Sequence, residues 1–450
     1  MNVLTSNTRR LFFRYLLPSL FAALATTIYC FVDNIAIGQS EGTLGVAAVA
    51  VITPIWGVTG TLALLCSIGG SVPMGVAKGA GNEEKGNAYF TASIITMGTI
   101  TLICWLAFLL LHTQIFTLFG ADETLMPKVL EYGKLIVYFF PLFLLNPFLC
   151  TYLRNDKAPA RAMAATLCGG CFNIFGDWLF VFPLGMGMRG AAIATVLGAA
   201  VQFLILISHF FTKKCTLRFV MPHNLFKGIR KTLAGGISAG VLEVGLVLIT
   251  ILMNNQIMKY GGTTELAVYG VIVTTSGLLV AMFSGVGQAL QPLASENFGA
   301  GEKVRVKSFL RLALMASGTL GILFTCMGVL FPTQILSVFI DITPELQAVA
   351  PGIFRIYFLT FIPASIAVLI IYFLQSCLKN KAAATISLLR SFLVTGAMIL
   401  ILPLVWGITG LWWATPIADT IVACIAIVYA VKVSRKELCV NGQANTEKGV

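Results

Sequence analysis

Long apolar runs alternate with short polar breaks along the whole chain. Twelve runs stand out, near residues 15–38, 44–77, 88–111, 129–153, 160–183, 190–212, 233–258, 265–294, 308–331, 346–377, 382–404 and 410–432. A helix needs about 20 residues to cross a bilayer core, and every run reaches that length. The pattern predicts an all-α integral membrane protein with twelve transmembrane helices. The first run follows Arg9, Arg10 and Arg14 and holds Ala23-Leu24-Ala25, which resembles a signal cleavage site. It is too long for a cleaved leader and carries Asp33, so it reads as a retained helix.

Composition agrees. With 450 residues, 58% hydrophobic, only 11% charged and a mean hydropathy of +0.90, the chain cannot be a soluble globular protein. Its formal charge of +12 does not point to nucleic acid, because the basic residues sit in short loops between apolar runs. If every run is a span, 25 of the 30 lysines and arginines fall on one side and only Lys128, Lys134, Arg189, Lys259 and Arg355 on the other. A missed span would scramble that split. It places both termini in the cytoplasm of a multi-pass plasma (inner) membrane protein. The eleven cysteines lie mostly within apolar runs. The one CxxC, Cys168-Gly-Gly-Cys171, has no histidine near it in sequence and reads as buried thiols rather than a metal site.

The chain repeats itself. Thr113-Gln-Ile-Phe-Thr-Leu-Phe119 returns as Thr333-Gln-Ile-Leu-Ser-Val-Phe339, and the hairpin from Pro183 through Gly187 and Gly190 to Thr195 returns from Pro403 to Thr415, both 220 residues on. Six spans separate the copies, so the halves are parallel: two six-helix repeats (6+6) around a central cleft. The expected units are an N-terminal lobe over 1–220, a basic cytoplasmic linker over 221–231, a C-terminal lobe over 232–433 and a cytoplasmic tail over 434–450. Such an architecture commonly supports alternating access.

Polar residues inside the spans carry the candidate chemistry. Asn173 and Asp177 are four apart and share one helical face. A carboxylate at mid-membrane costs about 2.5 to 3.5 kcal/mol, so it faces an interior partner or cavity. Asp33, Asp177 and Thr195 each lie six residues from the non-cytoplasmic end of their spans, about 9 Å deep at 1.5 Å per residue, and so can meet at one level. The 220-residue shift puts Met253 opposite Asp33, Leu393 opposite Asn173 and Ala397 opposite Asp177, whereas Thr195 keeps its type as Thr415. The repeated scaffold therefore does not require these carboxylates. Two carboxylates, an amide and a hydroxyl form an oxygen-only set suited to Na⁺ or a shared proton, with no other metal and no cofactor. The alternative is a helix-packing hydrogen bond.

Other spans add less specific candidates. Pro18 favours a kink in helix 1 that ion binding at Asp33 would modulate, or else a static one. Glu243, near mid-membrane in helix 7, reads as a second acidic site, a counter-charge for a cationic substrate, or a staple between helices. Tyr29, Tyr269, Met282 and Phe283 are candidate cavity linings through cation–π contact and adaptable packing. Lys134, Arg355 and Arg390 lie near span ends, where they are expected to snorkel and leave the cleft without basic residues. Asp419 is left without a role.

Together, Pro18, Val32-Asp33-Asn-Ile-Ala-Ile-Gly38, Asn173-x-x-x-Asp177, the Pro183–Thr195 hairpin, Glu243, and the loop Gly79-Ala-Gly-Asn-Glu-Glu-Lys85 echoed by Gly299-Ala-Gly-Glu-Lys303 resemble the multidrug and toxic compound extrusion (MATE) transporters. The resemblance covers nearly the whole chain. It implies that Asp33, Asn173, Asp177 and Thr195 form the N-lobe cation site of the DinF-like branch, while Glu243 takes the place of a helix-7 glutamate used in other branches. Arg154-Asn-Asp156 resembles the family's loop after helix 4, although Lys157 stands where glycine is more usual. The implied function is that of a monomeric, non-enzymatic secondary antiporter exporting small organic cations in exchange for H⁺ or Na⁺. Two rivals are a lipid-linked saccharide flippase, whose anionic cargo calls for cleft arginines or lysines, and an integral-membrane transferase, which calls for clustered Asp or His near a membrane surface.

Overall fold

A computed structural model describes residues 3–339 and 343–438, so residues 439–450 of the expected tail lie outside the described residues. The membrane helices are α1 (8–41), α2 (43–79), α3 (Glu83–Leu118), α4 (Met126–Asn155), α5 (Pro159–Val181), α6 (Gly187–Phe211), α7 (Leu225–Tyr260), α8 (Thr263–Gly299), α9 (Lys303–Leu330), α10 (Pro344–Ser376), α11 (380–406) and α12 (408–438). They form the twelve-helix, two-repeat fold expected from the sequence. Two boundaries are single glycines. Gly42 (φ 62°, ψ −148°) and Gly407 (φ 57°, ψ −143°) break otherwise continuous helices with dihedrals that any Cβ would oppose. Helix α4 is bent by 53° between Tyr138 and Phe140.

The duplication is visible in the backbone. Gly81 and Gly301 have φ of 79° and 74°, and Gly187 and Gly407 have 50° and 57°, each pair 220 residues apart. Apolar side chains such as Leu102, Ile103, Leu106 and Leu110 of α3 remain exposed on the outside, as a lipid-facing helix requires. Inside, Ile52, Phe90, Phe116 and Phe148 build an N-lobe core, while Met253, Phe283, Phe354 and Trp412 build a C-lobe core. A further core joins Leu11, Phe12 and Leu16 at the start of α1 to Leu290, Phe309, Phe373 and Val422. Helix α1 thus belongs to both halves, and Pro18 lies where it leaves the C-terminal core. Its dihedrals stay helical through Pro18, without a local break.

The halves meet most closely at the face that carries the basic loops. A Cβ on Gly79 would lie 1.9 Å from the Glu296 carbonyl, and one on Gly299 would lie 2.0 Å from the Val76 carbonyl. These two contacts exchange under the 220-residue shift, so α2 and α8 touch across a pseudo-twofold axis. Gly69 against Thr232 and Gly236 against Leu65, each at 1.8 Å, extend the seam to α7. Toward the other face, Gly57 and Gly277 meet no neighbour within 4 Å. The seam closes the cleft at the basic face.

Candidate functional site

Small residues bring α5 and α6 together. A Cβ on Gly198 would lie 2.6 Å from the Gly169 carbonyl, and one on Gly176 would lie 2.8 Å from Ala194 Cβ. That close packing sets Asn173 and Asp177 beside Thr195. The amide N–H of Asp177 reaches the carbonyls of both Asn173 and Ile174, and a π-helical stretch, Asp177–Val181, begins at this residue. Such insertions recur at functional sites because they turn one side chain out of register.

The four predicted ligands converge. Thr195 Oγ1 donates to Asp33 Oδ1 at 3.3 Å and accepts from Asn173 Nδ2 at 3.3 Å. The Asp177 carboxyl lies near that of Asp33. Asp33, Asn173 and Asp177 are buried, and Thr195 is half-buried. Asn173 Oδ1 and both Asp177 carboxylate oxygens are buried with no hydrogen-bond partner. Three orphaned acceptors in one place are what a cation or a proton would satisfy. Sequence reasoning missed Tyr132, whose hydroxyl donates to Asp33 Oδ2 at 3.2 Å and lies 3.4 Å from Thr195 Oγ1. A signal existed: Tyr132 lies six residues from the start of α4, the same depth as its partners.

The C-lobe differs. Arg390, on a π-helical stretch of α11 (Leu389–Leu393), donates from Nε to Asp419 Oδ1 at 2.9 Å, and Thr360 Oγ1 donates to Asp419 Oδ2 at 2.6 Å. The expectation that Arg390 snorkels is therefore corrected. It lies ten residues into its helix, about 15 Å from the end, and turns inward to a buried carboxylate. Arg154 also reaches inward, from α4 to Gln288 of α8 at 2.5 Å. The cleft is not free of basic groups.

Glu243 lines a cavity at the lobe seam with Leu64, Ser284, Tyr372, Gln375 and Arg390. None of the four predicted cavity residues lines it. Tyr269 and Phe283 are corrected to C-lobe core: Tyr269 packs on Tyr357 and Trp412, and Phe283 on Phe324 and Phe361. Met282 is half-buried against the same core, and Tyr29 lies against Gly170 within the N-lobe.

The sequence, whose three histidines are scattered at span ends, is expected to hold no Asp/His cluster near a membrane surface, and the structure corrects this. Asp156, His209 and Cys215 come together at the basic face, with His209 Nε2 at 2.7 Å from Asp156 Oδ2. Thr216 donates to the same carboxylate through its amide and hydroxyl, and Lys78 Nζ lies 3.8 Å away. Asp156 is thereby saturated and fastens the segment after α6. Burial pushes its carboxyl up, but the His209 and Thr216 bonds and the Lys78 charge outweigh this and hold it below the usual range. Cys168 and Cys171 are free and exposed, not buried, because Gly169 and Gly170 take the inward positions of that turn.

The MatE family model matches residues 18–179 and 239–427, two segments whose starts are 221 residues apart. Multidrug export protein MepA of Staphylococcus haemolyticus is 23% identical over 423 residues, covering 92% of each chain. Probable multidrug resistance protein YoeA of Bacillus subtilis is 24% identical over 340 residues, covering 72% of each. Among solved structures, an outward-facing multidrug resistance MATE family transporter superposes with a TM-score of 0.89 at 18% identity, covering 96% of this chain and 97% of that one. A mutant of the Vibrio cholerae MATE transporter VcmN gives 0.87 at 19%, covering 96% and 98%. With the family model matched over more than half of its length, this chain belongs to the multidrug and toxic compound extrusion family of membrane transporters, and it is not an enzyme.

Proposed function

We propose that the protein is a secondary antiporter that exports organic cations and is driven by H⁺ or Na⁺ entering at Asp33, Asn173, Asp177 and Thr195. The observation that carries this reading is the set of three unpartnered buried oxygens, on Asn173 and Asp177, beside the Asp33 carboxylate. Without a cation these groups repel or stand unsatisfied; an incoming cation relieves both penalties and is retained until the lobes exchange. Helix α1 links Asp33 to the C-terminal core, so binding at one end bears on how the halves pack at the other. One charge crossing 100 mV supplies about 2.3 kcal/mol, enough for more than a tenfold drug gradient. Glu243, in the cavity between the halves, supplies the counter-charge for the cargo.

The test is ethidium export from vesicles under separately imposed Na⁺ and pH gradients, with Asp33→Asn and Asp177→Asn beside the parent. Each substitution abolishes gradient-driven export while the protein stays in the membrane. Undiminished export in both removes the site, and dependence on only one gradient identifies the ion. A second reading, a lipid-linked saccharide flippase, gains from Arg154 and Arg390 in the cleft. Asp419 neutralises Arg390, however, and Arg154 is engaged by Gln288. Ethidium export rules for the cationic cargo.

A further inference from the structure

We propose that Glu41 and Lys128 form the outer gate of the cation site: Glu41 is the first carboxylate an entering coupling ion meets, and Lys128 is the built-in cation it displaces. The proposal rests on the antiport reading and adds the route by which the ion arrives.

The same three helices are tied together twice. Asp33 of α1, Tyr132 of α4 and Thr195 of α6 meet at the cation site. Toward the face opposite the basic loops, Glu41 ends α1. It pairs with Lys128 Nζ of α4 at 2.8 Å and accepts from the Met188 amide, in the first turn of α6, at 3.2 Å. At 1.5 Å per residue, Glu41 lies about 12 Å beyond Asp33, Lys128 about 6 Å beyond Tyr132 and Met188 about 10 Å beyond Thr195. Ile37 is fully buried between the two levels, one helical turn from Asp33 and one from Glu41. The ion pair itself reaches water, with side chains 17% exposed at Glu41 and 32% at Lys128. From outside inward the order is ion pair, apolar plug, carboxylates.

Two observations make the pair a gate rather than a staple. Lys128 also lies 3.3 Å from Glu131, so two carboxylates share one ammonium. An arriving cation takes Glu41 while Lys128 keeps Glu131, and such an exchange at a wet site is cheap, unlike the loss of a partner from a buried pair. The C-lobe, moreover, lacks the device. The 220-residue shift puts Gly261 opposite Glu41 and Ala348 opposite Lys128. A Cβ on Gly187 would fall on Glu41 Oε1, whereas its counterpart Gly407 meets nothing within 4 Å. The scaffold stands without the pair, which occurs only in the lobe whose buried carboxylate oxygens are unpartnered.

Charge-selective labelling reads this out. In the full chain freed of its native cysteines, Ile37→Cys places a thiol just behind the pair, and its rates of reaction with cationic MTSET and anionic MTSES are compared. Lys128→Gln raises the MTSET/MTSES rate ratio about fivefold and Glu41→Gln lowers it about fivefold, the worth of one nearby charge in water. Both substitutions break the same ion pair, so a merely structural role moves the ratio the same way in both. A second arm keeps the native cysteines and decides alone if Ile37→Cys does not fold. Ethidium export from vesicles is followed against outside Na⁺ or pH, whichever gradient drives the wild type. The half-saturating ion concentration falls in Lys128→Gln and rises in Glu41→Gln, while the rate at saturating ion is unchanged. A ratio or a half-saturating concentration that stays put, or shifts in one direction in both variants, overturns the proposal. Failure of the wild type to export ethidium under either gradient is instead a failure of the antiport reading, and the labelling ratio still decides whether Glu41 and Lys128 govern cation access.

Discussion

The glycine seam between α2 and α8 gives the sharpest quantitative expectation. Gly79 and Gly299 have ordinary helical dihedrals, so alanine strains neither backbone. Alanine even favours a helix over glycine, by about 0.8 to 1.0 kcal/mol. That gain is common to every state in which the helix is formed and cancels from the balance between conformations. The seam is different. A Cβ at Gly79 sits 1.9 Å from the Glu296 carbonyl, and reaching even 3.0 Å, the near limit for real Cβ atoms, moves the helices about 1 Å apart. Overpacking of this kind costs about 1 to 3 kcal/mol, only in the state where the seam is closed. Gly79→Ala thus shifts the equilibrium away from the state described here by about five- to 150-fold. Since one separation of α2 and α8 relieves both pseudo-symmetric clashes, adding Gly299→Ala costs little more than either change alone, a clear departure from additivity. The assay is the distance between spin labels at Leu118 and Val338, both highly exposed and 220 residues apart, in a cysteine-free background. The alanine variants shorten that distance as the outer ends of the lobes approach. An unchanged distribution, or a double variant costing the sum of two singles, refutes the seam argument.

Two further outcomes rest on side-chain geometry. Tyr132→Phe removes a donor to Asp33 worth about 1 kcal/mol, leaving that carboxylate more in need of a cation; the half-saturating concentration of the coupling ion in vesicle export falls about fivefold, and no change returns Tyr132 to packing. Asp156→Asn weakens bonds worth about 1.5 to 3 kcal/mol that fasten the segment after α6, so proteolytic cleavage at Lys213 and Lys214 speeds about tenfold or more. Because the folded Asp156 carboxyl lies below its ordinary value near 3.8, its stabilisation is complete above about pH 5 and is lost as pH falls through the depressed value. Release of the segment between pH 7 and 5 contradicts that assignment.

The elements were legible because a bilayer imposes one period and one length on every span, and because lysine placement checks their number. The repeat was legible for the same reason that its glycines return: Gly81 and Gly301, or Gly187 and Gly407, occupy dihedrals that other residues enter at a cost. The meeting of Asp33, Asn173, Asp177 and Thr195 was legible through depth, a one-dimensional quantity that sequence preserves. Direction around a helix axis is not preserved so well. The π-helical stretches at Asp177–Val181 and Leu389–Leu393 shift the angular register of every later residue in the helix, and nothing in their composition announces them. Arg390 was misread for that reason, together with a depth judged from the nearest polar break. Asp156, His209 and Cys215 come from separate segments, so their convergence has no local signature. Lys157 carries a different lesson. It has φ 62° in a position where the family more usually has glycine, and its Nζ lies 3.2 Å from Glu296 of the other lobe, so a left-handed backbone is retained with a long side chain able to reach across the seam.

The two lobes share a backbone and divide the chemistry by charge. Each buries a carboxylate that its sister lacks, since Asp177 corresponds to Ala397 and Asp419 to Ala199. The N-lobe adds a second carboxylate, Asp33, and leaves the oxygens of Asp177 unpartnered, whereas the C-lobe supplies a guanidinium covalently. Removing one partner from a buried ion pair costs about 3 to 5 kcal/mol, more than one charge gains from 100 mV. A mobile cation therefore cannot displace Arg390 from Asp419 at that driving force, whereas no fixed cation stands against Asp33 and Asp177 among the described residues. Duplication provided two equivalent frames; on the antiport reading proposed above, a fixed cation in one frame confines ion coupling to the other and leaves the C-lobe face to recognise cargo.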